Sequence, residues 1–338
     1  MQDCKYDYMI AAIIPCWNEE KLLPKMLDSL IAQSYQDWQA FCVDDCSTDS
    51  TAQIIRSYAQ RDSRIHYILR TTEPRGGQAC RNIGLQHARS AKYVCLFDAD
   101  DTIAPCCFEQ RVTYMEQHPE IDCGVFPMLA YRNDLREPDS PVYGIKSFDD
   151  DLEAMLYMFL PMAISTNTYR TSAMEKYGLD CDAEVIAMQD SDLSFRVILS
   201  GMNYAYAPDA KADYFYRVTT DGVAASITAK SKWRSHIRLM RKVAEAVEAK
   251  FGNRYDRLLA TYYALVIRKI GINREALPSL MQLPWMQRHA RFSRLTKLYE
   301  VTGIRKLWGL FFYPYRADVI KQKVIWKQQM AAKRKQLV

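Results

Sequence analysis

The sequence predicts an α/β protein: a Rossmann-like, mostly parallel sheet flanked by helices, followed by a basic, helical C-terminal region. Three observations carry this. Apolar runs alternate with segments of helical periodicity through the first hundred residues. Those runs are continuous rather than alternating, the pattern of strands buried on both faces. The runs also break off at polar or acidic residues, as strands do where they meet a ligand-bearing rim.

Met9 to Ile14 reads as the first buried strand and ends at Pro15. Leu22, Leu23, Met26, Leu27 and Leu30 recur at helical spacing behind it. Ala40 to Val43 is the second strand, ending in Asp44-Asp45, and Ser47-Thr48-Asp49-Ser50 supplies N-cap candidates for a helix holding Ile54 and Ile55. Ile65 to Leu69 gives a third strand and Gly77 to His87 a third helix; Tyr93 to Phe97 gives a fourth strand running into Asp98-Ala99-Asp100-Asp101. Repeated β-α units of this kind build a parallel sheet with helices on its faces.

With 338 residues the chain is long for one domain, and 49% hydrophobic and 25% charged residues match an ordinary folded protein rather than a disordered or fibrous one. Met1 to Tyr8 carries Asp3, Lys5 and Asp7 ahead of a short apolar run, which is not the layout of a signal peptide, so a cytoplasmic location is expected. No apolar stretch approaches the roughly 20 residues of a membrane span. The nearest, Ala154 to Ile164, contains Pro161. All ten cysteines fall between Cys4 and Cys181 without CxxC pairs, which argues against a zinc site or a disulfide framework.

Charge divides the chain. Residues 1–229 hold 20 Lys+Arg against 34 Asp+Glu, a net −14, whereas 230–338 hold 25 against 6, a net +19. The expected organisation is therefore an acidic α/β part over 1–229, with the repeated β-α units in 1–102 and the remainder in 103–229, then a basic helical region over 230–338. In that region Ile237, Met240, Val243 and Val247, and later Leu295, Leu298, Val301, Ile304 and Leu307, keep helical spacing among basic residues. The aromatic stretch Trp308 to Arg316 adds a composition suited to peripheral contact with an anionic membrane. Packing on the catalytic domain is the competing reading. Nucleic-acid binding is not supported, because no recognised nucleic-acid signature accompanies the basic residues.

The chemistry concentrates at strand ends. Asp98, Asp100 and Asp101 place carboxylates at the mouth of a sheet, suited to a hard divalent cation, magnesium or manganese, whose other ligands are diphosphate oxygens. An isolated D-x-D is common in turns; its position after an apolar strand gives it meaning. Asp45 stands where a carboxylate can accept from a nucleobase or a ribose, while Ser47 or Asp49 caps the next helix. There is neither a G-x-G-x-x-G after the first strand nor a Walker motif, so dinucleotide and P-loop readings lose their main support.

Four segments, Ile13-Ile14-Pro15-Cys16-Trp17-Asn18-Glu19-Glu20, Val43 to Thr51, Gly76 to Gly84 and Leu96 to Asp101, resemble family 2 of the glycosyltransferases in content and order over about residues 8–220. The resemblance implies a GT-A fold, a nucleoside-diphosphate sugar donor with UDP-sugars favoured, a divalent metal, and inversion at the anomeric carbon. Carried over by position, Pro15, Trp17, Glu20 and Asp45 line the nucleoside site, Arg81 orders it, Asp98 faces the ribose and stands beside the metal, and Asp100 binds the metal. Trp17 replaces the more usual tyrosine and Cys80 the usual alanine. Gln189-Asp190-Ser191-Asp192-Leu193-Ser194-Phe195-Arg196 is similar to the family's ED-x-D-L-x-x-R segment with Gln189 in place of glutamate, which makes Asp190 the candidate general base. Arg217 falls where relatives carry a loop over the donor and is the candidate diphosphate contact. No Q-x-x-R-W follows Asp190, so transfer of one sugar per encounter is expected rather than polymer extrusion.

A glycan or lipid-linked acceptor on the inner face of the cytoplasmic membrane fits the basic region, and Met128 to Ile164 is the expected acceptor-shaping stretch. Two alternatives stand beside this reading. A sugar-1-phosphate nucleotidyltransferase needs a glycine-rich basic loop after the first strand, which Pro15-Cys16-Trp17-Asn18 is not. A catalytically degenerate nucleotide-sugar-binding subunit is suggested only by Gln189 and opposed by Asp98, Asp100 and Asp190. Nothing in the sequence fixes oligomeric state.

Overall fold

The computed structural model describes residues 8–131, 142–218, 228–270, 277–288 and 319–330, with 332, 333 and 337. Its main sheet has seven strands: β1 (Tyr8–Cys16), β2 (Trp38–Asp44), β3 (Ile65–Leu69), β4 (Ala91–Leu96), β6 (Cys123–Val125), β9 (Asn167–Arg170) and β10 (Tyr204–Tyr206). They lie in the order β10-β6-β9-β4-β1-β2-β3. All pairings are parallel except the two made by β9, which runs antiparallel to both β4 and β6. A second sheet of four short strands orders β5 (Thr102–Ile103), β11 (Tyr214–Arg217), β7 (Met128–Tyr131) and β8 (Val142–Tyr143).

Six of the nine residues of β1 are fully buried apolar positions, because helices cover both of its faces. α1 (Leu23–Ile31), α2 (Thr51–Arg61) and α4 (Cys107–Gln117) contribute to the core that contains Ile10, Ala12 and Ile14, whereas α6 (Thr171–Lys176) and α7 (Gln189–Ser200) contribute to the one that contains Ala11 and Ile13. α3 (Gly77–His87) lies directly on β1. A Cβ built at Gly84 would stand 2.3 Å from Ile13 Cγ2, so only glycine permits this approach. Between the two sheets Arg111 and Asp213, neither of them exposed, form a two-pronged ion pair at 2.7 and 2.9 Å, and Arg111 also donates to the Ser165 carbonyl.

The first helices and strands expected from the sequence form within a residue or two of their expected bounds. In the C-terminal region, α8 (Ala229–Phe251), α9 (Asp256–Ile270), α10 (Leu277–Met281) and α11 (Pro284–Arg288) are helical. Ile237, Met240, Val243 and Val247 are buried in one core with Leu152, Met155 and Leu156 of α5 (Asp151–Leu156) and Phe195 of α7. The apolar stripe of α8 therefore packs on α5 and α7. Leu295 to Leu307 and the aromatic stretch Trp308 to Arg316 lie outside the described residues. Among the described residues no helix is long and apolar enough to cross a membrane, and the nine described cysteines are free thiols.

Candidate active site

Strand register assembles the site. Cys16 pairs with Asp44, Leu96 pairs with Ile13, and the Phe97 amide donates to the Ile13 carbonyl, so residues 98–101 leave the sheet beside the exit of β1. The loop after β1 is clasped to the loop after β2. Asn18, in the left-handed region at φ 55°, donates its amide to Ser47 Oγ and accepts the Thr48 amide on Oδ1. The Glu19 amide donates to Thr51 Oγ1 and the Glu20 amide to Asp49, while Glu20 accepts the Ser50 amide. Cys46 is a second left-handed residue, at φ 59°. Such conformations persist only where surroundings over-determine them, and here five cross-loop hydrogen bonds do so.

Inside that clasp the carboxylates separate into two kinds. Asp44 is buried and spent on the fold, accepting the Ser47 amide and the Tyr67 hydroxyl. Asp45 pairs with Arg70 and accepts the Gly76 amide, tying the end of β2 to the entry of α3. Asp101 is fully buried and accepts from the Tyr214 hydroxyl (2.6 Å) and the Arg217 amide (2.7 Å), which locks β11 onto the acidic segment. Among the described residues Glu19 and Asp100 have no such side-chain partners. Burial and the neighbouring Asp100 push Glu19 up to about 7, and burial and Asp98 push Asp100 up to about 6. Arg217 lowers both, and its Nε is buried without a hydrogen-bond partner among the described residues.

Arg81, buried on α3, joins this group to the start of α7. It pairs with Asp98 and donates to Gln78 Oε1 (2.9 Å) and Gln189 Oε1 (2.8 Å). Asp190 follows Gln189 in the first turn of α7 and accepts the Ile164 amide on Oδ1 at 2.9 Å. Burial raises its proton affinity, the Ile164 amide and Arg81 oppose the rise, and Asp98 adds to it. The helix start is unusual: Met188 occupies the N-cap in the left-handed region at φ 66°, with no side-chain cap.

The residues singled out from sequence thus fall in one region with different surroundings. Asp98, Asp100, Arg81, Asp190 and Arg217 are linked by contact or by charge. Pro15 lies near the start of α3, and Trp17 is 43% exposed on the rim. Asp45 carries the Arg70 ion pair, a partner the sequence reading did not include. Glu20 is exposed and turned to the Ser50 amide; it is Glu19 that faces Asp100. Tyr214, its hold on Asp101, and Gln189 as the partner of Arg81 were also not foreseen.

Among the described residues no three His, Cys, Asp or Glu side chains form a self-contained metal cage. Glu19, Asp98 and Asp100 nevertheless form a carboxylate group whose mutual repulsion is offset only in part by Arg81 and Arg217. That donor set fits a hard cation that takes one or two carboxylates and completes its shell with phosphate oxygens.

A mostly parallel sheet whose strand-end loops gather carboxylates, flanked by a small second sheet, is the GT-A arrangement. Residues 11–178, about half of the chain, match glycosyl transferase family 2, and the chain belongs to that family. The poly(ribitol-phosphate) beta-glucosyltransferase of Bacillus spizizenii is 24% identical over 221 residues, 64% of this chain and 33% of that protein. The chain spans about a quarter to a third of the length of the first curated relatives it matches. Among solved structures, S. aureus TarS 1–349 in complex with UDP-GlcNAc superposes with a TM-score of 0.64 at 18% identity, covering 92% of each chain. The mannosyltransferase PcManGT from Pyrobaculum calidifontis, in complex with GDP-Man and Mn2+, gives 0.51 at 18% identity over 92% of this chain and 88% of that one. At these identities the likeness is one of fold.

Proposed function

We propose that the protein is an inverting glycosyltransferase of polysaccharide assembly. It moves one sugar from a nucleoside-diphosphate sugar, a UDP-sugar by preference, to a hydroxyl of a glycan or lipid-linked acceptor. The observation that carries this is the group formed by Glu19, Asp98 and Asp100, short of positive charge, faced by Arg217 and joined through Arg81 to the turn that bears Asp190. Asp100, with Asp98 beside it, holds the divalent ion, manganese or magnesium; when bound, that ion supplies Lewis-acid stabilisation of the diphosphate leaving group.

The chain's own residues do the rest. Arg217 contributes its Nε to the diphosphate, Pro15, Trp17 and Asp45 frame the nucleoside, and Asp98 faces the ribose while holding Arg81. Asp190 takes the acceptor hydroxyl proton as that oxygen bonds to the anomeric carbon and the carbon–oxygen bond to the nucleotide breaks in line, which inverts the centre. Gln189 keeps Arg81 in place without adding a second negative charge beside the base. The charge excess of residues 230–338 supports peripheral attachment to the anionic inner face of the cytoplasmic membrane.

The test is a thermal-shift and calorimetric screen of UDP, GDP, CDP and TDP with and without Mn2+, on wild type and Asp100→Ala. One nucleotide stabilises the wild type in a metal-dependent way and the variant loses the effect; a folded sample that binds none of the four rules the reading out.

A further inference from the structure

The segment that carries Asp190 is gripped from behind by α8. Asp182, in the loop before α7, and Asp192, on α7, stand ten positions apart with Asp190 between them. Lys242 Nζ meets both, at 2.8 Å and 2.5 Å. Asp192 is fully buried and also pairs with Arg196 at 3.1 Å; Asp182 is held by Arg238 at 2.9 Å as well, and its carboxyl is lowered to about 2, hydrogen bonds from Arg238 and Lys242 overcoming burial. Two turns earlier on α8, the buried Ser235 hydroxyl accepts the amides of both Ile186 and Ala187, at 3.2 and 3.3 Å.

These contacts supply what the helix start lacks. Met188 caps α7 with no side chain, in a conformation that costs a non-glycine residue on the order of 1 kcal/mol or more. Residues two apart on a helix point about 200° apart. Asp192 therefore faces α8 while Asp190 faces the Ile164 amide and the Arg81–Gln189 contact. A grip on Asp192 fixes the rotation of the turn, and a grip on Ile186 and Ala187 fixes where it begins. We propose that Lys242 and Ser235 are positioning residues for the transfer step, holding Asp190 in register with the donor from the C-terminal helices. This rests on Asp190 being the base, as proposed above.

The experiment measures UDP release from UDP-GlcNAc with Mn2+ and water as acceptor, together with the calorimetric affinity for UDP. Lysine removal leaves the buried Asp192 with Arg196 as its one remaining ion-pair partner among the described residues, so the double variant Lys242→Met/Asp192→Asn is made beside Lys242→Met to keep a folded sample. Folded variants are expected to lose about tenfold in kcat with KM and UDP affinity changed less than about twofold, Lys242→Arg to recover most of the rate, and Ser235→Ala to lose a few-fold. Wild-type kcat in the folded double variant, or a loss of UDP affinity equal to the loss of rate, overturns the proposal. Asp190→Asn is run in parallel: if it keeps the wild-type rate, the base reading fails and the positioning role falls with it, whereas an inactive Asp190→Asn beside an unchanged Lys242 variant removes the positioning role alone.

Discussion

Two groups of acids in this molecule are treated in opposite ways. Asp213, Asp192 and Asp182 each meet a cation: Arg111 between the sheets, Lys242 and Arg196 behind α7, and Arg238 with Lys242 in the loop before it. At the strand ends Glu19, Asp98 and Asp100 crowd together, with Arg81, paired with Asp98, and Arg217 as the cations beside them among the described residues. Paired acids bind elements of the fold to one another; the crowded ones carry more negative charge than those two cations offset. The difference teaches where to look for function in such a protein, because a folded chain compensates a buried carboxylate unless a ligand does so.

The comparison can be broken or sharpened by experiment. The largest expected effect is on Asp190, outside both groups: Asp190→Asn lowers turnover of the nucleotide sugar by about 10²–10⁴-fold while UDP binding persists. Next is the paired group. Arg111→Met strands Asp213 in the interior and costs about 3–5 kcal/mol in denaturant unfolding, with little effect on UDP affinity in the protein that remains folded. The crowded group responds to pH. Glu19 and Asp100 bind protons more tightly folded than unfolded, so their contribution to stability is complete below about pH 4 and is lost as pH rises through about 6 to 7. Thermal scans of the metal-free protein between pH 5 and pH 8 should show a falling midpoint, a decline that Mn2+ reduces and Asp100→Asn flattens. The smallest effect separates neighbours: Glu19→Gln weakens Mn2+-dependent nucleotide stabilisation, whereas Glu20→Gln costs within about 1 kcal/mol of stability and leaves that stabilisation in place.

Much of this was legible in the sequence, for physical reasons that also mark where legibility ends. β1 to β4 announce themselves because burial on both faces demands continuous apolar runs, and Asp98 to Asp101 are conspicuous because three acids crowd directly after such a run. The second sheet is built of strands two to four residues long, too short to show a period of two. The roles of Asp100 and Asp101 look identical in sequence; they differ because Tyr214, 113 positions on, takes Asp101 and leaves Asp100. Glu19 and Glu20 are likewise told apart only by the clasp between two loops, and Arg70 is an ordinary arginine until the end of β3 brings it to Asp45. The grip of Lys242 on α7 depends on a packing of helices that periodicity identifies as helices without saying what they cover.

The missing methyl at Gly84 sets a length. Arg81 stands three residues before it on the same helix, so the depth at which its guanidinium reaches Asp98 and Gln189 is measured from the surface of β1, with Ile13 as the stop. Any side chain at Gly84 lifts the helix like a shim under a beam, and an alanine there should yield a folded protein whose nucleotide rim and base turn no longer meet at the same height.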